Sequence, residues 1–291
     1  MKFQGNMVAL VTPMHPNGAI DFEALERLVE WHLEEGTDGL VVLGTTGESP
    51  TINDAERVQV IDRVIKSVRE RTPVIVGTGT NATTTTIAYT KAALEAGADA
   101  CLLVTPYYNK PTQEGLFQHY CAVAKAVPIP QILYNVPGRT GCDLLPETAA
   151  RIAEAAPNVV ALKDATGKLE RLAEYKALGC KLLLLSGDDS SEMEFMLGGG
   201  HGVISVTANV APKLMTALCR AAMKGQRKEA EAINAKLIKL HTDLFVEPNP
   251  IPVKWILAEM GMIQSGIRLP LTALSESYHA RLREALAESQ A

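Results

Sequence analysis

Val159-Val160-Ala161-Leu162-Lys163-Asp164-Ala165 is a short apolar run that ends on a lysine. Both of its faces are apolar up to Lys163, as in a parallel strand covered on two sides. Side chains of an extended strand alternate, so Val159, Ala161 and Lys163 are expected on one face and Val160 and Leu162 on the other. A buried ammonium is costly unless it is paired or gives up its proton. Two roles therefore fit Lys163: a strand-end partner for a carboxylate, or a neutral amine that attacks carbonyls.

Seven more apolar, β-branched-rich runs flank this one: Met7–Thr12, Gly39–Gly44, Val74–Gly79, Ala100–Pro106, Gln131–Val136, Leu182–Asp188 and Gly202–Thr207. Most are followed by a segment of helical period. Leu25, Leu28, Val29, His32 and Leu33 share a face of the first helix, and Val58, Val60, Ile61, Val64 and Ile65 mark the second. Asn53, with Glu56 three residues later, has the pattern of a capping box. Eight strand-then-helix units predict an α/β protein, a (β/α)8 TIM barrel over residues 1–225. A doubly wound open sheet is the alternative, but it usually has fewer units. Beyond Lys224-Gly225 the pattern turns helical. Ala230, Ile233, Leu237, Leu240 and Leu244 form a stripe within 227–246, and helices are expected near 251–261 and 271–288. Residues 226–291 thus read as a C-terminal three-helix extension.

At 291 residues the chain is long enough for a sizeable core, and 47% of it is hydrophobic. A net charge of −5 with no basic run argues against nucleic acid or an anionic membrane as a partner. No apolar run approaches the roughly 18 residues of a spanning helix. The start, Met1-Lys2-Phe3-Gln4-Gly5, lacks the continuous apolar segment of a signal peptide. Five scattered cysteines without a C-x-x-C fit reduced thiols and a cytoplasmic location. The six histidines show no ligand spacing, so no metal is expected.

A barrel of this kind carries its active site at the C-terminal ends of its strands. Standing there are Gly44-Thr45-Thr46-Gly47-Glu48-Ser49, Tyr107-Tyr108-Asn109, Tyr134 to Arg139, Lys163, Ser186 to Asp189, and Ile204-Ser205. The Gly44–Ser49 turn offers amides and hydroxyls to a carboxylate or phosphate, or is a plain Gly/Thr-rich turn. Tyr134 is a proton donor if its phenol reaches the pocket, and otherwise a core tyrosine at the rim. Arg139 suits bidentate carboxylate binding, although loop arginines are commonly only solvated. Gly77 to Ala82 has the outline of a dinucleotide fingerprint that nothing else supports. The Asp188-Asp189 pair speaks against a phosphate there. Together these groups suit Schiff-base chemistry on a small keto acid, with no cofactor or metal required.

These residues resemble the dihydrodipicolinate synthase family, within the pyruvate-dependent class I aldolase superfamily that includes N-acetylneuraminate lyase. The resemblance runs from Gly5-Asn6-Met7-Val8-Ala9-Leu10-Val11-Thr12 to Arg268-Leu269-Pro270. It is carried by the 44–49 turn, Tyr107 to Pro111, Tyr134 to Thr140, Lys163, Ser186 to Asp189, Gly202 to Pro212 and Asn249-Pro250-Ile251-Pro252-Val253-Lys254. It implies condensation of pyruvate with L-aspartate 4-semialdehyde in diaminopimelate and lysine biosynthesis. Lys163 is then the Schiff-base lysine and Tyr134 the proton donor and acceptor. Thr45 passes protons between Tyr134 and a Tyr108 inserted from a neighbouring subunit. Thr45 and Thr46 hold the pyruvate carboxylate and Arg139 that of the semialdehyde, while Gly187 and Ile204 border pyruvate with their carbonyls. The assembly implied is a homotetramer built as a dimer of dimers. A Schiff-base aldolase or lyase for a sugar-derived keto acid, a non-catalytic keto-acid sensor and a phosphate-binding isomerase are the alternatives.

Feedback-regulated members of the family bind lysine in a cleft that Ser49, Asn81 and Tyr107 match. Pro50, Asp54, Arg57 and Thr85 stand where those relatives carry alanine, two histidines and a glutamate. Weak or absent lysine inhibition is therefore expected.

Overall fold

The computed structural model describes residues 3–290. Met1, Lys2 and Ala291 lie outside the described residues, including the start of the chain considered above and the outer limits of the barrel and extension. Eight parallel strands close into a barrel in sequence order: β1 (Gly5–Ala9), β2 (Gly39–Val42), β3 (Val74–Gly77), β4 (Ala100–Val104), β5 (Gln131–Asn135), β6 (Val159–Asp164), β7 (Leu183–Ser186) and β8 (Gly202–Ser205). β8 pairs back onto β1 through Met7 and Ile204. This is the expected TIM barrel, and it decides against the open sheet.

Around the barrel run α1 (Phe22–Glu34), α2 (Asp54–Val68), α3 (Thr83–Glu95), α4 (Gln113–Ala126), the single turn α5 (Pro137–Thr140), α6 (Pro146–Ala155), α7 (Glu170–Ala177), α8 (Glu192–Leu197) and α9 (Pro212–Met223). Asn53 and Glu56 form the expected capping box, each side chain meeting the other's backbone N–H at 3.0 Å. Two apolar clusters divide the core. Met7, Val41, Ile75, Leu102, Ile132, Ala161, Leu185 and Ile204 come from strands alone and fill the barrel. The larger cluster joins the outer strand faces to the helices.

Three expectations about the barrel need correction. The strands stop short of the predicted runs, the rim residues beyond them keeping at most a single bond to a neighbouring strand, as Thr105 does to the Tyr134 carbonyl at 2.9 Å, or turning to a side chain. Val206 and Thr207, for example, donate their N–H groups to Asp189 at 3.0 Å each. In β6, Val159 pairs with Gln131 but Ala161 pairs with Ile132, so one extra residue bulges. The bulge breaks the alternation: Val159 packs outward, while Val160 and Ala161 both meet the interior cluster ahead of Lys163. In α2, Val58 is 59% exposed, and the polar Arg57 takes the inward place beside it. Arg57 turns in because its guanidinium finds acceptors there, the Ser49 hydroxyl at 2.9 Å and the Gly77 carbonyl.

The chain after the barrel forms α10 (Arg227–Asp243), α11 (Ile251–Glu259) and α12 (His279–Gln290), with a 3-10 turn at Glu276–Tyr278. The helix expected from 271 begins eight residues later, because Ser275 is held in extended backbone with its side chain bonded to Glu247. Ala230, Leu237, Leu240 and Leu244 of the predicted stripe are buried.

Candidate active site

Lys163 and Tyr134 are register partners on adjacent strands, so their side chains leave the barrel at one height. Each is only 6% exposed. The Lys163 Nζ stands 4.3 Å from the centre of the Tyr134 ring. The carboxylate beside Lys163 in sequence faces the other way. Asp164 accepts from the Tyr175 hydroxyl at 2.9 Å and from Thr166, with Arg171 3.7 Å away. That disposes of Asp164 as a structural partner for the lysine and explains its burial. Room for the lysine stem comes from Ala161 below it and from Gly187 on the next strand end. A Cβ at Gly187 would stand 2.8 Å from the lysine Cε.

The 44–49 turn follows β2. Leu43 and Glu48 both sit at positive φ, 55° and 56°, where an L-residue costs about 1–2 kcal/mol. The amides of Glu48 and Ser49 close the turn onto the carbonyls of Thr45 and Gly44. Those of Thr45 and Thr46 have no partner among the described residues. Two unpartnered N–H groups and the Thr45 hydroxyl are what a carboxylate needs. Thr46 is buried, and its oxygen accepts from the Asn249 amide at 3.0 Å, leaving its own hydroxyl proton free.

Thr45, Tyr134 and Arg139 line a cavity of about 460 Å³ that continues past Ser49, Asn81 and Tyr107. Arg139 closes one side and donates to the Asn249 carbonyl at 3.2 Å. Ile204 lies within the barrel interior and Gly187 beyond the end of β7, its N–H donating to the Asp164 carbonyl at 2.7 Å. Tyr108 is not gathered into this group. It stands 89% exposed at φ 73°, tied only by its N–H to the Thr140 carbonyl at 3.3 Å. Asn249 carried no individual sequence signal. A lone asparagine in a proline-rich turn acquires meaning only through a contact 203 positions away.

Behind the rim of β7 and β8 lies a second polar group that spacing in sequence did not reveal. Asp189 accepts from the Thr207 hydroxyl at 3.2 Å, and that oxygen meets His241 Nδ1 at 2.9 Å. His241 Nε2 lies 3.7 Å from the fully buried Glu192. Burial, with Asp189 and Asp188 nearby, pushes the Glu192 carboxyl well above its ordinary range, and burial pulls the His241 imidazole down. Glu192 thus keeps its proton in the fold but releases it in the unfolded chain above its ordinary value of 4.5. Its raised pKa stabilises the fold below that value and loses this contribution as pH rises. Glu192→Gln, a neutral side chain of the same size, is expected to gain in stability on the native chain as pH rises from 5 to 8. Urea midpoints at the two pH values check this, and a gap that does not widen contradicts it.

The model of the dihydrodipicolinate synthetase family matches residues 2–289. A 4-hydroxy-tetrahydrodipicolinate synthase of Methylococcus capsulatus is 61% identical over 98% of both chains. That of Nitrosococcus oceani is 60% identical over 99% of both. Among solved structures, the chloride-inhibited dihydrodipicolinate synthase of Acinetobacter baumannii complexed with pyruvate superposes with a TM-score of 0.97. It shares 54% of its sequence with this chain, over 99% of each. No helix among the described residues is long and apolar enough to cross a membrane. By its sequence over nearly its whole length and by its barrel, this chain belongs to the dihydrodipicolinate synthetase family.

Proposed function

We propose that this protein condenses pyruvate with L-aspartate 4-semialdehyde to 4-hydroxy-tetrahydrodipicolinate, through a Schiff base on Lys163. The observation that carries this reading is the buried amine of Lys163 at the strand end, over the Tyr134 ring and without Asp164 as a partner. The amine adds to the keto carbon of pyruvate and water leaves, forming the imine. Loss of a methyl proton yields an enamine, whose carbon attacks the aldehyde. The amino group of the second substrate then displaces Lys163 and closes the ring. Tyr134 and Thr45 serve the proton transfers, and the unpartnered amides of the 44–49 turn suit the pyruvate carboxylate. Arg139 suits the carboxylate of the semialdehyde. No cofactor or metal takes part in these steps.

An exposed tyrosine pair at 107 and 108, 39% and 89% accessible, favours assembly with further copies of the chain. We infer a tetramer of two dimers in which Tyr108 completes a neighbour's proton relay. Five unpaired cysteines suit a cytoplasmic setting. Incubation with pyruvate and borohydride is expected to add one reduced pyruvate to the peptide containing Lys163. Condensation with aspartate semialdehyde, and no cleavage of sialic acid or deoxy-keto acids, separates this reading from a sugar-acid aldolase. No trapped mass, or cleavage without condensation, refutes it.

L-lysine is expected to leave the activity unchanged at sub-millimolar concentration. In the continuation of the cavity, Arg57 stacks over the Tyr89 ring at 4.4 Å and bonds to Ser49. Asp54 accepts from the Tyr89 hydroxyl at 2.7 Å. An incoming ammonium meets a like charge there, and Thr85 offers no carboxylate to offset it. Inhibition in a coupled assay contradicts this expectation.

A further inference from the structure

The turn that offers its amides to a carboxylate is held from outside as well as by its own two backbone hydrogen bonds. Glu48 occupies left-handed backbone without being glycine, a conformation that survives only where surroundings over-determine it. Its carboxylate is 3% exposed and forms an ion pair with Lys254, itself 4% exposed. The other oxygen accepts from the Arg268 amide at 3.1 Å. Lys254 lies in the first turn of α11, and the same stretch of chain contributes Asn249. The Asn249 amide holds the Thr46 oxygen, and its carbonyl receives Arg139. From below, the Thr12 hydroxyl grips the Gly47 carbonyl at 2.8 Å. Residues 249–254 therefore hold both the strained turn and the rim arginine from beyond the barrel.

Burial lowers the affinity of Lys254 for its proton, and Glu48 opposes that shift. A buried pair of this kind is a poor source of net stability. What it supplies is direction: two opposite charges that cannot be solvated elsewhere fix where residues 45–48 stand.

We propose that Glu48 and Lys254, with Asn249, are positioning residues that aim the Thr45 and Thr46 amides at the carboxylate of pyruvate. The proposal rests on the Schiff-base reading above. Neither Glu48 nor Lys254 touches substrate; both act through the turn. A purely structural pair, by contrast, would change how much protein folds and leave the folded fraction's response to pyruvate as it was.

The test is the dependence of borohydride trapping on pyruvate concentration in the full-length protein. Because Lys254→Met alone strands a buried carboxylate, the variant of choice is the double Glu48→Gln, Lys254→Met, which removes both charges at similar volume. Its half-saturating pyruvate concentration is expected to rise tenfold or more, while trapping at saturation still goes to completion on Lys163. A value within twofold of the native protein overturns the proposal. Should the double variant not fold by circular dichroism, Asn249→Ala decides alone: a rise of threefold or more supports the proposal, and an unchanged value overturns it. Native protein that pyruvate does not trap refutes the Schiff-base reading itself, a result distinct from an unchanged half-saturation in the variants.

Discussion

Lys163→Ala is expected to lose about three orders of magnitude or more in kcat, with no gain in mass after pyruvate and borohydride. Removing a covalent nucleophile removes the intermediate, and whatever turnover remains comes from binding the two substrates side by side. The fold should survive the change. Asp164 takes its hydrogen bonds from Tyr175 and Thr166 on the opposite face, so truncating the lysine does not strip this buried carboxylate of its partners. Circular dichroism and the thermal midpoint should therefore stay near those of the native protein while activity disappears. Equal trapped mass in the native chain and the variant would show that another amine reacts and end the assignment of Lys163.

Gly187→Ala has the second large effect, and its cause is steric. The backbone at 187 is not left-handed, so alanine is compatible with it. The added Cβ, however, would stand 2.7 Å from the Ala165 Cβ, 2.8 Å from the Lys163 Cε and 3.0 Å from its Cγ. The lysine tip can swing away, but the Ala165 Cβ is one bond from the backbone and cannot. Overpacking of this sort usually costs about 1–3 kcal/mol of stability. Its larger consequence is to push the amine off its place over the Tyr134 ring. Misplacing a reacting group by about 1 Å costs on the order of a hundredfold in rate, and kcat should fall by about that much. The measurement is the rate of pyruvate trapping, which is expected to slow while still reaching Lys163. Trapping within about threefold of the native rate would mean that the lysine stem is not confined as the geometry requires.

The barrel was legible because eight apolar runs separated by amphipathic segments leave few other closures. The capping box of α2 was legible because it is a contact between residues three apart. Two local patterns misled. Val160 broke the expected alternation, because a bulge is a property of two paired strands and leaves no mark on one of them. Val58 and Arg57 exchanged places because Arg57 has an acceptor 20 residues away, the Gly77 carbonyl at the end of β3. Strong hydropathy at Val58 gave way to a buried guanidinium with partners.

By itself the sequence determined the fold class and the family and singled out Lys163 as the candidate, since each is written in local periodicity or in contiguous motifs. Strand alternation already turns Asp164 from the lysine; only the tertiary structure decided that its partners there are Tyr175 and Thr166, that Gly187 leaves the lysine stem room, and that residues 249–254 hold the 44–49 turn. The reason is physical: burial, steric exclusion and ion pairing depend on which groups lie within a few ångströms. Here the decisive partners, Glu48 and Lys254, are 206 positions apart along the chain.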